Sequence, residues 1–173
     1  ITATGGVLSQ QARGLEAHFT AAEMSTIVDT AHSLGLKVAA HAHGARGIEA
    51  AAKAGVDTIE HCTFADDAAI AMMKSKGTGC APTLMAFTGI RDRLGKGIYT
   101  PQVEAKVRQT LAVVGKAAAA MRKQGVNIVF GTDSGVYEHG RNAEELGQMV
   151  DLIGMTPREA LASATTAAAK AMN

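Results

Sequence analysis

The feature that most constrains this chain is an alternation of short apolar runs with helical segments that carry their own start and stop signals. Thr20-Ala21-Ala22-Glu23 reads as a capping box. Met24, Ile27, Val28 and Ala31 follow at helical spacing, and Gly35 is the stop. KVAAHAHG (37–44) then reads as a strand. Residues 45–54 form a short helix closed by Gly55, and VDTIEHC (56–62) is the next strand. Asp66 caps a helix through residue 76, closed by Gly77. GCAPTLMA (79–86) is a third apolar run, in which Pro82 argues against a regular central strand. Thr100-Pro101 opens the longest helix, which ends before Gly125. NIVFGTD (127–133) is a fourth strand. Asn142 and Thr156 each start a further helix, the second with the capping box Thr156-Pro157-Arg158-Glu159. Such alternation predicts an α/β fold, a parallel sheet with helical crossovers. An open doubly wound sheet and a (β/α) barrel both satisfy it, and both place functional groups at the carboxyl ends of the strands.

Bulk properties narrow the functional classes. The chain has 173 residues and no linker or low-complexity tract, so a single domain over 1–173 is expected. Net charge is +1 with the signs mixed, which argues against a nucleic-acid partner. No apolar run approaches the roughly 20 residues of a membrane helix, so no membrane partner is expected. Cys62 and Cys80 make neither a C-x-x-C pair nor a disulfide framework. The glycine pair in TATGGVLS (2–9) matches neither the phosphate-loop nor the dinucleotide pattern, and no G-x-S-x-G elbow supports serine chemistry. Cys62 adjoins His61, but adjacent strand residues point to opposite faces, which argues against a Cys–His dyad.

The carboxyl ends of the predicted strands carry the chemistry. Three of them end in a metal-competent side chain: His41, His61 and Asp133. In a parallel sheet these ends lie on one side, and two neutral imidazoles with a carboxylate suit zinc or a similar divalent ion. Singly, each residue has a bland reading, since strand-end histidines are commonly structural and the aspartate of GTDSG is a common turn residue. The agreement of three separate strands is what favours a site. His43 shares a face with His41 by strand periodicity but borders the loop at Gly44, so it is assigned to substrate contact rather than direct ligation. His139, in the loop after the fourth strand, is a second candidate for holding substrate. His18 and His32 lie before and within a helix and read as structural or solvated.

VAAHAHGARGIEAAAKAGVDTIEHC, then VFGTDSG, then HGRNAEELGQMVDLIGMTPREALASATTAAAKAM, resembles the amidohydrolase superfamily over nearly the whole chain. The branch it is most similar to holds Xaa-Pro dipeptidases and imidazolonepropionase-like hydrolases. The resemblance implies a (β/α)8 TIM barrel whose fifth, sixth and eighth strands end at His41, His61 and Asp133. It further implies that His41 and His61 bind one metal, and that Asp133 binds another and moves protons. The activity implied is metal-dependent hydrolysis of an amide or peptide C–N bond in a small dipeptide or amide substrate, by metal-activated water. A cyclic amidohydrolase is the alternative enzyme, and a non-catalytic half-barrel assembly unit is the alternative of another class.

The departures from the family pattern set further expectations. The H-x-H pair of the family's first strand has no counterpart before His41, and the bridging lysine of the fourth strand would fall just before Ile1. The chain is therefore expected to be a partial barrel: the end of strand four, then strands five to eight, without the flanking β-sandwich. A half sheet exposes edges and apolar surface. Self-association, or pairing with the missing half-barrel, is expected, together with weak or no metal binding and no useful hydrolysis by this piece alone.

Overall fold

A computed structural model describes residues 1–10 and 15–173. Its elements in chain order are α1 (Ala21–Ser33), β1 (Ala39–Ala42), α2 (Ala45–Ala54), β2 (Thr58–His61), α3 (Asp67–Lys76), β3 (Gly79–Ala81), α4 (Leu84–Arg93), α5 (Pro101–Leu111), α6 (Lys116–Gln124), α7 (Glu144–Ile153), α8 (Pro157–Ser163) and α9 (Thr166–Met172). The three strands form a parallel sheet in the order β1-β2-β3, with His41 opposite Glu60 and Glu60 opposite Ala81. Two further segments lie alongside. His41 N donates to Ile1 O at 2.8 Å and Ala3 N to His41 O at 2.9 Å on one side. On the other, Cys80 N donates to Asn127 O and Val129 N to Cys80 O, both at 2.9 Å. Parallel bridges at Thr2–His41 and Cys80–Ile128 give these segments the same direction as their neighbours. Five segments therefore run side by side in chain order.

The helices start and stop where local chemistry directs. Both capping boxes form, Thr20 with Glu23 and Thr156 with Glu159. Asp66 accepts from Ala69 N at 2.9 Å, and Thr100 caps α5 ahead of Pro101. Strand alternation then divides the sheet. Ala40, Ala42, Ile59 and Cys80 are fully buried and pack with Met24, Val28, Ile48, Ala51, Ile70 and Met73 of α1–α3. Ala39, His41, Thr58 and Glu60 occupy the opposite face and are exposed or half-buried. A second, smaller cluster joins Val7, Phe87, Ile90, Val103 and Val107 beyond the carboxyl ends of the strands. No helix among the described residues is long and apolar enough to cross a membrane.

Four expectations need correction. The run 79–86 is not one strand: β3 ends at Ala81, Pro82 offers no N–H, and Leu84 already begins α4. The helix opened by Thr100 does not continue to Gly125. It breaks between α5 and α6 at Gly115 (φ 77°), where a Cβ would stand 2.9 Å from Leu152 Cβ of α7. Residues 127–133 pair with β3 only over 127–129, because Phe130 N turns away to Ser163 O. Asn142 does not cap a helix: α7 starts at Glu144, and the Asn142 amide donates to Thr132 Oγ1 at 3.4 Å.

Candidate metal centre

The carboxyl ends of β1 and β2 bring three imidazoles into contact. His41 stands on β1, His43 one residue past its end, and His61 closes β2. The His41 ring centroid lies 4.7 Å from each of the other two, nearly perpendicular to both, while His43 and His61 stack at 4.5 Å. One ligand nitrogen from each ring lies within 4.8 Å of the others. His41 follows simple alternation onto the inner face of the sheet. His61 does not, since its neighbour Glu60 already takes that face. A positive φ of 73° turns His61 back toward His41, and Cys62 follows at 51°. Cys62 is thereby driven into the core, where its Sγ meets Ile59 O at 3.3 Å and burial pushes the thiol pKa up. No Cys–His dyad forms.

Two threonine hydroxyls fix the rings. Thr63 Oγ1 lies 2.8 Å from His43 Nδ1. Thr83 Oγ1 donates to Pro82 O at 2.8 Å and lies 2.6 Å from His61 Nδ1. With its single proton committed to the carbonyl, the Thr83 hydroxyl accepts from His61 Nδ1–H. His61 Nε2 is then a bare lone pair, and it faces His41 Nδ1 at 2.9 Å. His41 Nε2 is buried with no hydrogen-bond partner.

Electrostatics keep the rings neutral. Burial drives His43 down to about 2, helped by His61, His41 and Lys106. Burial, then His41, holds His61 at about 3. His41 is lowered by burial against the opposing pull of Gly5 and Asp133. Neutral imidazoles are the form that ligates metal.

The rings line a cleft of about 200 Å³ whose other walls include Gly6, Val7, Phe87, Ile90 and Val136. Asp133 (φ 53°) lies on its rim; the residue as a whole is exposed, but partial burial of its carboxyl raises the pKa from its ordinary value while His41 pulls it down. Lys106 from α5 donates to Gly6 O at 3.1 Å and to Ser9 O, tying the glycine-pair loop beside the cleft. His139 stands in an exposed turn and is not among the lining residues. His32 pairs with Asp57 at the surface, 2.9 Å away. No motif or spacing in the sequence marks out Thr63, Thr83 or Lys106. Their only signal is position just past a strand end, or on a helix that the chain's own turns bring back.

The sequence model of the amidohydrolase family matches residues 1–173, the full chain. The chain belongs to the amidohydrolase family. Among solved structures, this amidohydrolase superposes on a Xaa-Pro dipeptidase with bound methionine at a TM-score of 0.93 and 38% identity, covering 99% of this chain and 42% of that one. It superposes on Aspergillus niger ochratoxinase at a TM-score of 0.88 and 34% identity, over 99% of this chain and 38% of that one. An uncharacterized protein of Mycobacterium tuberculosis is 39% identical over 145 residues, 82% of this chain and 38% of its own length. The chain thus spans well under half the length of the relatives it matches.

Proposed function

We propose that this chain supplies the fourth-strand end and strands five to eight of a (β/α)8 barrel, in a metal-dependent hydrolase of amide or peptide C–N bonds. The substrate class we favour is the dipeptide, Xaa-Pro above all. The observation that carries the reading is the pair of nitrogens His41 Nδ1 and His61 Nε2, 2.9 Å apart at neighbouring strand ends. Burial holds both rings neutral, a single proton stands between them, and the other nitrogen of His41 is orphaned. That donor set fits a divalent ion, zinc by its chemistry. His41 and His61 would hold it, with Asp133 contributing a carboxylate from the facing rim. Such an ion, when bound, supplies Lewis acidity toward a carbonyl oxygen and toward water.

The chain's own groups do the remaining work. Asp133, whose carboxyl partial burial raises from its ordinary value, accepts the proton of the attacking water and delivers it to the leaving nitrogen. His43, locked by Thr63 and stacked on His61, faces the substrate carbonyl or carboxylate. His139, six residues beyond Asp133 in an exposed turn, is the residue we assign to the outer end of the substrate. Val7, Phe87, Ile90 and Val136 form an apolar wall that excludes water from the reacting bond.

The test is turnover by the complete parent protein on Xaa-Pro dipeptides and on ring amides, in parallel with its Asp133→Asn variant. Dipeptide turnover lost by at least about a hundredfold in the variant is the expected result. Preference for ring amides would move the assignment to a cyclic amidohydrolase. Activity retained by Asp133→Asn would remove the aspartate from the proton path, and no turnover of either class would favour a non-catalytic assembly unit.

A further inference from the structure

Helix α4 begins in an unusual way. Its N-cap residue, Thr83, sits at φ 50°, ψ 48°, not in the extended region N-caps normally occupy, and its side chain makes no bond to its own helix. The hydroxyl is used elsewhere, between Pro82 O and His61 Nδ1. The diversion leaves the first N–H groups of a buried helix end without their usual acceptor. One side chain from α7 satisfies both. Glu145 is fully buried, and it accepts from Leu84 N at 2.8 Å through Oε1 and from Met85 N at 2.7 Å through Oε2. Without it, the default remedy is local: Thr83 would return to extended backbone and cap its own helix, relieving a left-handed conformation that β-branched residues resist. Thr83 has one hydroxyl for two duties, capping α4 or holding His61.

We propose that Glu145 is a positioning residue of the metal centre. By capping α4 in place of Thr83, it frees the Thr83 hydroxyl to hold His61 Nδ1–H and so keeps the His61 Nε2 lone pair aimed at His41 Nδ1. The link runs Glu145, Leu84 and Met85 N–H, Thr83, His61, and joins α7 to the end of β2. Its relevance to metal rests on the proposed function, but its effect on the His61 tautomer does not.

The experiment is two-bond ¹H–¹⁵N NMR of the histidine-labelled complete parent protein, which shows which ring nitrogen carries the proton, with zinc affinity followed on the same samples. The wild type should show His61 protonated on Nδ1. Glu145→Gln keeps one acceptor but sets an NH₂ against the other N–H, and it should lose that signature, as should Thr83→Val. Each should weaken zinc binding by about 10- to 100-fold, and the double variant should be no weaker than Thr83→Val alone. Glu145→Asp, a milder change, carries the same test if Glu145→Gln does not fold. A variant of Glu145 that loses stability yet keeps the wild-type His61 tautomer would overturn the proposal, as would fully additive losses in the double variant. If the tautomer responds but the wild type takes up no zinc, the clamp stands and the metal assignment fails.

Discussion

His61, Cys62, Thr83 and Asp133 all hold positive φ, at 73°, 51°, 50° and 53°, and all lie at carboxyl ends of the sheet segments. Each such residue costs about 1–3 kcal/mol and persists only where the surroundings enforce it. Here the left-handed turn re-aims His61, which alternation alone would send into the helical layer. His41, His61 and Asp133 are legible in the sequence because each ends an apolar run. Thr63 and Thr83 are not, since a threonine beyond a strand signals nothing until the register sets it against a ring. Glu145 is hidden differently: an acid in a helix's first turn ordinarily faces solvent and favours the dipole, whereas here it faces the interior. Its burial has a pH consequence. Burial raises its carboxyl from 4.5 to about 7, against the pull of the Met85 and Leu84 N–H groups. The folded state then binds this proton more tightly than the unfolded chain. The stabilisation is complete below about 4.5 and disappears as pH rises through about 7, amounting to about 3 kcal/mol. In urea titrations, wild type should lose stability relative to Glu145→Gln between about pH 4.5 and about pH 8. A gap that stays constant would mean that Glu145 titrates normally.

At the scale of elements, most helix starts and the ends of β1 and β2 are where sequence and structure agree. The two capping boxes, Asp66 and Thr100-Pro101 open helices as their chemistry demands. What periodicity cannot reveal is a boundary imposed by a neighbour. Leu84–Phe87 is apolar enough to pass for strand, and only Pro82 with the buried acceptor from α7 makes it a helix start. Gly115 is similar: inside a helical pattern a glycine is a mild penalty, but here α7 approaches so closely that Leu152 Cβ lies 2.9 Å from where a Cβ would stand. Gly115→Ala should therefore cost about 2–4 kcal/mol, combining left-handed strain with overlap. Gly95→Ala is the control, with a matching φ of 75° and nothing within 4 Å, and should cost only about 1–2 kcal/mol. Denaturation midpoints for the two variants decide it. Equal losses would mean that the close approach of α7 does not cause the break between α5 and α6.

At the scale of the molecule, five parallel segments in chain order leave the outer edge of 127–129 without a further sheet neighbour among the described residues, while the edge of Ile1–Ala3 is met only at its end, where His18 N donates to Ala3 O at 2.9 Å and Thr4 bridges Ala17. Unpaired edges favour pairing with another chain, and Leu34, Leu36, Ile98, Leu161 and Met172 add exposed apolar surface. Sedimentation should accordingly show dimers or larger species at micromolar concentration; a monodisperse monomer would contradict this. The order of the segments follows from the sequence because successive strand–helix–strand units usually seat each strand beside the one before it. The open edges do not, because they depend on what lies beyond the pairs that form. The centre itself is tested most directly by zinc-edge anomalous diffraction from crystals of the complete parent protein soaked in excess zinc, which detects even a weak site. A peak about 2.0–2.1 Å from nitrogens of both His41 and His61 is the predicted result, and zinc seated only elsewhere, or no peak at those rings, would contradict it.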